Sequence, residues 1–117
     1  MKKALLAGGL ALWALQGAAM AQTKAVDEEE QMDAAFRKFG YVSGQAFACH
    51  TKEQQAKLER TALNVGTNIL RLFGSDRAFF FAATFWAGSS SAVDQAQCPA
   101  IVKEADEMIG KLKVLSQ

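Results

Sequence analysis

A single histidine, His50, is the first constraint on what this 117-residue chain can do. Histidine is the commonest general base in nucleophilic catalysis, so a Ser-His-Asp or Cys-His arrangement would have to be built around that one residue. Cysteine is equally scarce, with Cys49 and Cys98 the only two. Their separation is nothing like the C-x-x-C of redox pairs, and a zinc site would need two further ligands for which His50 has no companions. No glycine loop resembles a phosphate cradle, because Gly88 to Ser91 lacks a basic residue and a flanking strand. The sequence therefore names no catalytic residue, no metal site and no cofactor.

Strong charge and long apolar runs are missing too. The longest apolar run, Ala4 to Leu15, is about a dozen residues against the roughly 20 of a spanning helix. It has a different character: Lys2 and Lys3 precede it and Ala19-Met20-Ala21 follow as an A-x-A site, the three parts of a removable secretory leader. Residues 1–21 are thus expected to be cleaved near Ala21, leaving 22–117 as one domain of 96 residues, exported to the bacterial periplasm or secreted. Loss of Lys2 and Lys3 from thirteen basic residues leaves eleven against twelve acids. That near-neutral balance gives no electrostatic reason to expect nucleic acid or an anionic membrane.

What is present reads as four helices. The first starts near Asp27, with Glu28, Glu29 and Glu30 favourable in its opening turn, and its apolar positions run Met32, Ala35, Phe36, Phe39, Val42, Ala46 and Phe47. Gly40 and Gly44 lie one turn apart inside it. Either they admit a neighbouring helix or they mark a break near Tyr41, with close packing the preferred reading. Thr51-Lys52-Glu53-Gln54 is a capping box and opens helix two. Its stripe is Leu58, Ala62, Val65, Ile69 and Leu72, widened by Leu63, Leu70 and Phe73, and Gly74 ends it as a left-handed cap. Ser75 or Asp76 caps helix three. Gly88 to Gln97 is the one loop, and Pro99 suits the first turn of helix four. The buried stripe there is Ile101, Ala105, Met108, Ile109, Leu112 and Leu115.

The expected fold is a small all-α bundle of four helices stapled by one disulfide. An even cysteine count in an exported domain favours a bond, and on this map it ties the end of helix one to the start of helix four. Phe79, Phe80, Phe81, Phe85 and Trp86 spread around most of helix three, mainly as core. A short helix in a domain this small cannot bury every direction, so the leftover aromatics would form a contact for a partner, for an apolar ligand or for a second copy. Arg77 either pairs locally with Asp76 or anchors a partner's carboxylate. These six residues are the candidate partner-binding set.

Two cysteines about 50 residues apart, bracketing the central helices of a small exported protein, resemble the HdeA-type acid-stress chaperones of the bacterial periplasm. The resemblance covers Cys49 to about Leu115 in layout. It implies a disulfide-linked helical fold, a dimer at neutral pH, and dissociation in acid that exposes apolar surface to unfolded clients. The run from Ala78 to Trp86 is more aromatic than the middle of that family. The layout also resembles small helical immunity proteins that neutralise exported cell-wall enzymes. Binding without catalysis is the favoured expectation. The alternative is a small hydrolase, for which Glu53 or Glu59 near His50 would be the place to look.

Overall fold

The computed structural model describes residues 27–115. The expected leader and its cleavage site near Ala21 lie outside them. The chain falls into two compact units, Met1–Met32 and Asp33–Gln117. In the first only 27–32 are described, and they are helical. Among the described residues the protein is all-α: α1 (27–48), α2 (Lys52–Phe73), α3 (Ser75–Ser89) and α4 (Cys98–Leu115), with a 3₁₀ turn at Gln95–Gln97. None of these helices is long and apolar enough to cross a membrane.

The helix ends show which start signals act. Asp27 is already helical, so it does not serve as the cap. At α2 the capping box forms in full: the Gln54 amide donates to Thr51 Oγ1 at 3.4 Å, and the Thr51 amide donates to Gln54 Oε1 at 3.2 Å. Gln55 then clamps the corner, its Nε2 donating to the carbonyls of Phe47 and His50. Gly74 ends α2 at φ 97°, a value that favours glycine, but with ψ 172° it is extended rather than left-handed helical. Its amide donates to Leu70 O while its carbonyl accepts from Ala78. One residue therefore serves both helices. Ser75 is already helical, and no side chain caps α3, contrary to the expected Ser75 or Asp76 cap.

The glycines of α1 settle the question of a break. Helix α1 is continuous through Tyr41. A Cβ built on Gly40 would overlap Thr84 Oγ1 and the carbonyl of Phe81; one on Gly44 would overlap the carbonyl of Phe85. From the other side, a Cβ on Gly88 would overlap the carbonyl of Tyr41. So α1 and α3 meet backbone to backbone. The same contact explains why α3 runs past Gly88 to Ser89, making the loop shorter than expected: Gly88 is buried against α1 instead of opening a turn.

Around that pair, Phe36, Phe39, Val65, Ile69, Phe81 and Leu112 form the main core, and Val42, Ala46 and Ala105 a smaller one between α1 and α4. Phe39 meets Phe81 edge-on at 5.0 Å between ring centroids. Cys49 and Cys98 are bonded, Cα atoms 5.7 Å apart, joining the end of α1 to the first residue of α4 as the helix map predicts. Leu115, placed on the buried stripe of α4 by its spacing, is 63% exposed, standing at an open concavity beside Phe36 and Phe73 that no further element covers among the described residues.

Candidate functional site

Because α1 occupies one side of α3, the five aromatics of α3 divide. Phe81 points inward and is only 3% exposed, so it is core and not a contact residue. Phe85 is half-buried against Phe47, ring centroids 5.5 Å apart. Phe80 is half-buried with the Arg37 guanidinium 4.2 Å over its ring, a cation–π contact. Phe79 and Trp86, seven residues apart and hence on one helix face, remain 67% and 72% exposed. Arg77 is held by neither Asp76 nor solvent: its Nε lies 3.3 Å from Asp33 Oδ1 on α1. That pairing spans 44 residues of sequence, which is why local reading missed it.

Helix α2 supplies the other wall. Leu63 and Leu70, expected to widen its buried face, are instead 67% and 52% exposed. The reason is that α3 covers only the Val65 and Ile69 side of the helix. Between α2 and α3 lies a groove of about 350 Å³. Gly66, Ala78 and Ala82 make a low floor, and Leu63, Leu70 and Trp86 stand as apolar rims. Beyond its own stretch of helix backbone, no atom lies within 4 Å of where a Gly66 Cβ would sit, so the groove is open there.

A second concavity, of about 90 Å³, lies between α2 and α4, with α1 and α3 as its floor. Inside are Ala46, Val65, Phe81, Phe85, Val102 and Ala105; exposed Thr61 and Asp106 stand at the mouth. Its unexpected member is Ser43. This side chain is 9% exposed, and its Oγ hydrogen-bonds to no protein group. The sequence signal was present: Ser43 stands four residues from both Phe39 and Phe47, a polar residue on an otherwise apolar helix face. His50 also lines the cleft, its Nδ1 bonded to the Ala46 carbonyl. Glu53 is exposed in the first turn of α2, and Glu59 lines the α2–α3 groove, so Glu59 and His50 belong to different concavities. Among the described residues, no three His, Cys, Asp or Glu side chains group as metal ligands would.

Fold and site together define a small disulfide-stapled helical bundle with an open apolar groove on one face. No family model matches the chain, and no curated protein or solved structure matches it at a significant level.

Proposed function

We propose that this is an exported, non-catalytic binding protein whose α2–α3 groove receives an apolar helical segment of a protein partner. The exposure of Leu63, Leu70 and Trp86 around the groove, with Phe79 exposed on the same α3 face as Trp86, carries this reading. Such an apolar group on a small protein exceeds the scattered single side chains that need no explanation. A low floor between apolar rims is the shape that helix-in-groove recognition uses, with anchors spaced along one helix face.

Area decides between occupants. Large aromatics bury about 150–250 Å² each, so these four partly exposed side chains provide roughly 400 Å². A standard interface uses about 800 Å² per partner, and permanent dimers use more. The patch therefore suits one helix of a transient partner better than an obligate second copy. The disulfide fits an oxidising compartment, which supports export. A chaperone of the acid-stress type would engage clients with the same face; an inhibitor of an exported enzyme would use it on one target.

Tryptophan emission tests the proposal. With residues 1–21 removed, as the leader reading expects, Trp86 is the sole tryptophan and sits on the groove rim. Titration with an amphipathic helical peptide should shift its emission to the blue and saturate, and Leu63→Ser with Leu70→Ser should abolish the shift. Unchanged emission, or an equal shift in the double variant, removes the groove as the binding site. For the chaperone mode, a dye for exposed apolar surface should respond on acidification to about pH 2, below the carboxylate range; silence there removes that mode.

A further inference from the structure

We propose that the cleft between α2 and α4 is a binding site for an uncharged small molecule with an apolar, ring-sized body and one hydrogen-bonding group, which Ser43 holds. The site is separate from the α2–α3 groove and does not depend on a partner binding there.

Three observations converge. The first is the lining. All four helices contribute, the interior is apolar, and Ala46, Ala62 and Ala105 keep it wide where larger residues would close it. Helices α2 and α4 have no extensive backbone contact with each other, so the space between them is built into the arrangement. The second is Ser43. A helical serine normally satisfies its hydroxyl on a carbonyl one turn back, and a buried polar group left without a partner costs about 1–3 kcal/mol. Ser43 does not do so, although it is buried and lines the cleft. The third is the pattern of neighbouring polar groups. Thr61 Oγ1 already donates to the Lys57 carbonyl, and His50 Nδ1 is bonded to Ala46. Asp106 is exposed at the mouth, and no lysine or arginine lines the cleft.

This pattern selects the ligand. By volume the cleft could take about three waters, but each buried water needs two to four polar partners, and beyond Ser43 the lining offers little more than the second ring nitrogen of His50. An anion would meet the Asp106 carboxylate with no lysine or arginine to offset it; a cation would lose its hydration among phenylalanines. A neutral apolar body with one hydroxyl or carbonyl satisfies Ser43 and wets nothing else. A dry cavity of about 150 Å³ admits benzene. This one is smaller but open between Thr61 and Asp106, so a phenyl-sized body fits with its far edge between α2 and α4.

Phenol and toluene are the probes: nearly the same size, with and without the hydroxyl. In methyl-labelled protein, phenol should saturably shift the resonances of Val65, Val102 and Ile109 and bind more tightly than toluene. Ser43→Ala should weaken phenol about five-fold, the worth of one hydrogen bond, and leave toluene within two-fold. Ala105→Val, which narrows the cleft, should weaken both. If Ala105→Val fails to fold, the phenol-to-toluene ratio in Ser43→Ala still decides. No saturable shift, shifts confined to Leu63 and Leu70, or a Ser43→Ala effect that is absent or equal for the two probes overturns the proposal.

Discussion

The backbone contact between α1 and α3 makes a prediction whose sign depends on the structure. Glycine inside a helix costs about 1 kcal/mol relative to alanine. On propensity alone, Gly44→Ala and Gly66→Ala should therefore stabilise equally. The structure separates them. At Gly66 a Cβ meets nothing within 4 Å beyond its own stretch of helix backbone, so the full gain of about 1 kcal/mol should appear. At Gly44 the Cβ overlaps the Phe85 carbonyl, which is backbone and cannot rotate aside. Helices α1 and α3 must then move apart, loosening the Phe39–Phe81 and Phe47–Phe85 contacts. Overpacking of this kind costs about 1–3 kcal/mol, with a rigid backbone obstacle at the upper end. After the propensity gain, Gly44→Ala should destabilise by about 2 kcal/mol. The two variants should differ by about 3 kcal/mol, or roughly 15 °C in melting temperature for a domain of this size. Urea and thermal unfolding followed by far-UV circular dichroism measure both. If Gly44→Ala is as stable as the parent, or if both variants shift the same way, the close α1–α3 contact is wrong.

Further outcomes follow from burial and the staple. Phe81→Ala should lose about 3–5 kcal/mol, as for a large core deletion, whereas Trp86→Ala should stay within about 0.5 kcal/mol in the same unfolding assay. Equal losses would mean that the division of the α3 aromatics is misread. Reducing the Cys49–Cys98 bond opens a loop of 49 residues and should cost up to about 4 kcal/mol on the chain-entropy account, read as a lower urea midpoint with reductant present. An unchanged midpoint would deny the staple its role.

Local chemistry was legible only in part: the caps expected at Asp27 and at Ser75 or Asp76 did not form, and Gly74 is extended rather than left-handed helical. The Thr51–Gln54 box is three residues wide and formed as read. Two cysteines allow a single bond, and the helix ends showed what it joins: the end of α1 and the start of α4. Gly40 and Gly44 announced a close neighbour but could not say which helix, since that depends on where α3 returns. What failed was the face. Leu63, Leu70 and Leu115 carry the same spacing as buried neighbours, and only the extent of cover by other helices decides that they are exposed. Arg77 likewise found Asp33 through tertiary placement, not through its neighbour Asp76. Ser43 was overlooked because a serine on an apolar stripe reads as a minor flaw until its hydroxyl is seen to be buried without a partner.

The central claim, that the open face between α2 and α3 is a binding surface, is tested most directly by Trp86 emission in the chain without residues 1–21. Free protein should show the red-shifted emission of an indole that is 72% exposed. Adding an amphipathic helical peptide should move it to the blue along a saturable curve, and Leu63→Ser with Leu70→Ser should flatten that curve without lowering the melting temperature. Emission that is already blue in the free protein, or that no peptide alters, would contradict it.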